Sequence, residues 1–169
     1  MIRHTLLYFF LLTILGCSNS NNTPPPPPVT ETAPPPKGTP LPYPSLPNNI
    51  AEDLFNRCDF VDYIFYDPSI PMSISLNEQG SIRTTFRHIA NQTPTTNGNC
   101  KATGRVMYQA KGEYIIEADF YLQNECTYYI FMVDGKPTYA NAMSPDGVKF
   151  FSNNINQAKA SLRQKLQGQ

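Results

Sequence analysis

Three cysteines, one histidine and a scatter of acids supply whatever chemistry the aromatic-rich part of this chain can do. Cys58, Cys100 and Cys126 are widely spaced. Outside a reducing compartment, two thiols within reach oxidise to a disulfide. A metal would need cysteines at ligand spacing, and no close C-x2-C pair is present, so a three-cysteine site lacks its signature. His88 is the only histidine beyond the first few residues. With Cys58 it would form a nucleophile and general base if the fold joined them, though no local motif surrounds either residue. Asp59 with Asp62, and Glu113 with Glu117 and Asp119, offer paired carboxylates for acid–base work. Acids alternating along a strand more often form a solvated face. No calcium loop, phosphate-cradling Gly-Lys-Ser/Thr or Gly-x-Gly-x-x-Gly occurs, and no cofactor is expected. The chain has 10 tyrosines and no tryptophan. Exposed tyrosines could stack on a glycan, but runs such as "TYYIF" read as core.

The elements that must position these residues are legible from periodicity. "NIAEDLFNRC" predicts a short helix ending near Arg57, with Asn48 and Asn49 as caps and Ile50 and Leu54 on one stripe. "FVDYIFYD", residues 60–67, predicts a strand that stops at Asp67-Pro68. "MSISL" alternates like a strand, but Ser75 and Glu78 form an S-x-x-E capping box, and Ile82, Phe86 and Ile89 recur at helical spacing. The reading adopted is a helix over 76–90. "KATGRVMYQA", "EYIIEADFYL", "CTYYIFMV" and "PTYANAM" predict four strands joined by short turns, an antiparallel meander. In the second of these, Tyr114, Ile116, Ala118, Phe120 and Leu122 would face the core. The third is apolar on both faces and would be central. "SPDG" caps a final helix whose stripe runs Val148, Phe151, Ile155, Ala158, Leu162 and Leu166, with a break at Asn153-Asn154 left open. Folding the hairpins brings Cys100 and Cys126 to one end of the sheet, so their disulfide is the favoured pairing. Cys58 with either one is the alternative. The fold class is α+β: a four- to five-stranded antiparallel meander sheet with N-terminal, middle and C-terminal helices packed on it.

Composition divides the chain. Most of its 17 prolines lie between residues 24 and 47, and that stretch has too few apolar residues to fold. Proline runs extend by ~3.1 Å per residue, so they form a semi-rigid spacer reaching up to roughly 75 Å. From residue 48 to 169 the chain is long enough for one globular domain. Lys plus Arg and Asp plus Glu are 13 each, which leaves no basic field for a nucleic-acid partner.

Before the spacer, "MIRHT" carries positive charge and "LLYFFLLTIL" is a short apolar run, too short to span a bilayer. "ILGC", residues 14–17, resembles the lipobox of bacterial lipoproteins. That resemblance implies that residues 1–16 are a signal peptide. Cys17 would become the mature first residue, its thiol alkylated with a diacylglycerol and its new amine acylated. Anchoring through two or more acyl chains is stable where one is marginal. Ser18, rather than Asp, implies outer-membrane sorting if the host is Gram-negative. The expectation is a lipid-anchored envelope protein whose partners are membrane lipid through Cys17 and an envelope protein or glycan. Its domain is expected to bind or scaffold rather than catalyse. A small envelope hydrolase, or an inhibitor or immunity-type protein that binds a secreted enzyme, are the alternatives.

Overall fold

The computed structural model describes residues 38–70, 72–96, 99–123 and 125–168. The leader, Cys17 and most of the proline-rich stretch lie outside them. The architecture is α+β. Strands β2 (Phe60–Phe65), β3 (Ser73–Leu76), β5 (Gly104–Ala110), β6 (Glu113–Gln123), β7 (Cys126–Val133) and β8 (Lys136–Ala142) form one sheet in the order β3-β2-β5-β6-β7-β8. Every neighbouring pair is antiparallel. Helices α1 (Asn48–Arg57), α2 (Gln79–Phe86) and α3 (Pro145–Gln167) complete the domain. Two short strands, β1 (Thr39–Pro40) and β4 (Thr95–Thr96), pair separately.

The meander follows from its turns. Lys111-Gly112 and Asp134-Gly135 all have positive φ, the two-residue hairpin geometry whose twist matches that of the strands. The core forms where inward strand residues meet the helices. Phe151 of α3 stacks on Phe120 of β6 at 4.5 Å, and Tyr63 of β2 meets the Phe151 ring edge-on at 5.3 Å. Leu54 of α1 and Ile82 of α2 are fully buried in the same cluster. Gly104 is required by contact: a Cβ there would lie 2.2 Å from the Ile64 carbonyl oxygen and 2.6 Å from the Phe120 ring.

Several details differ from the sequence expectation or close what it left open, among them the N-cap of α1, which is Pro47 rather than Asn48 or Asn49. The middle helix does not run from 76 to 90. Ser73–Leu76 pairs with β2 as a sixth strand, and the Ser75 hydroxyl donates across the strands to Asp62 at 2.7 Å rather than capping a helix. Helix α2 ends at Phe86, and Ile89 instead forms a bridge to Met143. Tyr114 leaves the core face and is 68% exposed, because a register shift opposite Tyr108 and Gln109 puts an extra residue into β6. Helix α3 runs unbroken through Asn153-Asn154, with the Asn154 amide donating to the Phe150 carbonyl at 2.8 Å. Strand β7 lies fifth of six in the sheet.

The apolar rear face of β7 has another cause. Cys126, Tyr128, Ile130 and Ala140 form a second cluster, covered by Leu41 and Tyr43. The end of the proline-rich stretch is thus a strap. The Leu41 amide donates to the Pro94 carbonyl (3.1 Å), and the Ala140 amide donates to Pro44 at 2.8 Å. Leu46 then turns in to become part of the main core, 5% exposed. Residues 90–92 also pair with the β8 edge through Ala142, so the strap and this loop together protect an edge that would otherwise present free backbone groups.

Candidate functional site

The residues singled out for chemistry are dispersed and committed. Cys17 lies outside the described residues. Cys100 and Cys126 form a disulfide, their Cα atoms 6.3 Å apart. Cys58 is free and buried at the end of α1, its thiol donating to the Phe60 carbonyl at 3.3 Å. Burial pushes that thiol up, away from the thiolate a nucleophile needs. His88 lies in the turn after α2, 3% exposed, its ring 4.9 Å from that of Phe150. Burial pushes its pKa down, opposed by the nearby Asp146 carboxylate, and Nδ1 has no hydrogen-bond partner among the described residues. No hydrogen bond joins Cys58 to His88.

Four of the five acids hold the fold, whereas Glu113, at the start of β6, is exposed. Asp59 accepts from the Lys111 amide at 2.8 Å, and Asp62 accepts from Ser75. On β6, Asp119 and Glu117 both bind the Arg105 guanidinium, at 2.8 Å and 3.0 Å. The Tyr66 hydroxyl donates to the same Asp119 oxygen at 3.1 Å. The bond to Asp119 does most to keep Arg105 charged. Among the described residues, no group of three or more His, Cys, Asp or Glu side chains could hold a metal ion. No described helix is long and apolar enough to cross a membrane.

Two concave regions stand out among several on the described residues. An apolar pocket of about 420 Å³ lies between α1, the end of α2 and β8, walled by Leu46, Leu54, Phe55, Phe86 and Ile89. Its floor includes Asn141, 2% exposed, whose Oδ1 accepts from the Leu46 amide (2.8 Å) and whose amide donates to Ala90 (3.0 Å). That side chain therefore ties the strap to the loop after α2.

The second is a polar cleft of about 760 Å³ between one end of the sheet and α3. Tyr66 and Asp67 enter it from the end of β2, Lys101 and Thr103 from the segment before β5, and Gln123 from the end of β6. Helix α3 contributes Ser152, Asn156 and Lys159. The strand-end walls are braced by local bonds. Thr103 joins three of them: its carbonyl accepts from Tyr66, its amide donates to Phe120 and its hydroxyl accepts from Leu122. Asp67 closes a turn by accepting from the Ser69 amide at 2.9 Å. The Ser69 side chain, together with that amide, holds its carboxyl below the usual range, with Lys159 adding to the effect. The Cys100–Cys126 bond fixes the segment next to Lys101 to β7.

No family model, curated protein or solved structure matches the chain. Function therefore has to be argued from the cleft itself. Its residues escaped the sequence reading because they come from four separate segments and none belongs to a motif. The only visible hint was an α3 sequence carrying Lys149, Lys159, Arg163 and Lys165 with no acid after Asp146.

Proposed function

We propose that this chain is a lipid-anchored protein of the cell envelope whose folded part is a non-catalytic binding or scaffolding domain. The lipobox-like Ile14-Leu15-Gly16-Cys17, preceded by a charged start and a short apolar run, supports the anchor. The proline-rich spacer supports a domain held away from the lipid surface. With the strap drawn into the fold, residues 18–37 would reach roughly 60 Å at ~3.1 Å per residue.

One observation carries the non-catalytic half. Cys58, His88, Asp59, Asp62, Glu117 and Asp119 are each buried or bonded within the fold, Glu113 is exposed, and none of the seven lines the apolar pocket, the polar cleft or the two smaller concavities. A hydrolase needs such groups converging on a cleft with access to substrate. The polar cleft offers binding groups on braced walls instead, the arrangement expected of a preorganised ligand site.

Fractionation tests the anchor. The wild-type chain should pellet with membranes, lose residues 1–16 and carry acyl mass, whereas Cys17→Ser should keep its leader and carry no acyl mass. Equal behaviour of the two would refute lipid anchoring through Cys17.

A further inference from the structure

Resting on that binding reading, we infer that the polar cleft takes a saccharide bearing a carboxylate. Its titratable lining is Tyr66, Asp67, Lys101 and Lys159, so two ammonium groups face one carboxylate and one positive charge is left over. A singly charged acid matches that surplus better than a phosphate monoester, whose charge approaches −2. The Arg105 guanidinium, whose partner Asp119 also accepts from the cleft residue Tyr66, is already held by Asp119 and Glu117, so its phosphate-matching fork is occupied.

The remaining lining suits a sugar. Gln123, Ser152 and Asn156 have no side-chain hydrogen bond to another described residue, and each can both donate and accept, as sugar hydroxyls do. The Thr103 hydroxyl accepts from Leu122, which leaves its hydrogen to donate. Tyr66, 48% exposed, presents a ring beside Ile70, Leu122 and Ile155, an apolar surface for the C–H face of a pyranose. The volume of about 760 Å³ falls within the range of small-ligand sites.

Sugar carboxylates in an envelope come from cell-wall glycan or from acidic surface polysaccharide. The test is an NMR titration of the full lipidated chain in detergent micelles. The probes are a wall-derived disaccharide with its lactyl carboxylate, a disaccharide carrying a single uronic acid, and the methyl ester of each. At least one acid should shift the amides of Lys101, Thr103, Asn156 and Lys159, and the stronger acid identifies the source. The esters should bind ~10-fold more weakly or worse, and Lys101→Glu and Lys159→Glu should cost a similar factor. Lys101→Gln and Lys159→Gln serve if either reversal disturbs the amide spectrum at large. Lys136→Glu, on the β7–β8 hairpin, should change nothing.

Esters that bind as well as the acids would overturn the carboxylate assignment while leaving a binding domain. An equal loss in Lys136→Glu would reduce the effect to general charge. No shifts from either acid at millimolar concentration would remove the ligand class. New anomeric signals from a cleaved probe would instead overturn the non-catalytic reading.

Discussion

At the scale of single residues, three positions carry testable structural weight. Gly104 has a backbone oxygen and an aromatic ring inside the space of a Cβ. Gly104→Ala should therefore destabilise the domain by about 1–3 kcal/mol, as overpacked cores do, measured by chemical denaturation. Asn141→Ala would orphan the Leu46 amide, while the Ala90 carbonyl would keep its bond from the Gln92 amide. The expected cost is about 1–3 kcal/mol for the one unsatisfied group, with faster hydrogen exchange at Leu46 as its local signature. His88 sets a pH dependence. Burial lowers its pKa in the fold, so the unfolded chain takes up the proton first as pH falls. Stability from this group is complete above the unfolded pKa of ~6.5 and declines below it, down to the folded value. Denaturation midpoints should therefore fall more steeply between pH 7 and 5 in the wild type than in His88→Leu. Equal slopes would show that the imidazole titrates as freely in the fold as out of it.

At the scale of elements, the strap is the part that composition conceals. Prolines at 40, 42, 44 and 47 read as tether because the stretch has no apolar period, yet Leu41, Tyr43 and Leu46 are placed so that each meets the domain. A chain beginning at residue 38 should match the full protein in stability. One beginning at residue 48 should lose at least the ~1.5–3 kcal/mol of a buried leucine. The disulfide makes a related prediction. It secures the segment that leads from β4 to β5, and β4 in turn pairs with the strap. Reduction should speed hydrogen exchange at Leu41 before it does so at Ala118 in the centre of the sheet. Simultaneous loss at both would mean that the strap has no independent stability. The meander was readable because alternation and turn residues agree over β5 to β8. "MSISL" was not, because a capping box and a strand pair compete for Ser75, and Asp62 on the neighbouring strand decides between them. Apolar residues on both faces of β7 suggested a central strand, whereas the strap supplies the second cover. The cleft was invisible for a stronger reason: Tyr66, Lys101, Gln123 and Lys159 meet only once the sheet and α3 have closed on one another.

At the scale of the whole molecule, charge and anchorage together define the proposed role. The chain balances 13 basic against 13 acidic residues, so under the proposed role local surpluses rather than a net field would select the ligand. Ionic strength should thus weaken binding at the cleft, where the charges are few and near the surface. Tethering would hold that cleft within reach of envelope glycans while the acyl chains stay in the bilayer, since two or more chains make release slow. The central claim is that Cys17 carries lipid and the folded part carries one disulfide and one free thiol. Intact-mass spectrometry of the membrane-extracted, unreduced protein measures all of this together. The account predicts a chain starting at Cys17 with diacylglyceryl and acyl additions, a Cys100–Cys126 bond, and Cys58 alkylated only after unfolding. A chain that retains residues 1–16 with Cys17 unmodified would contradict it.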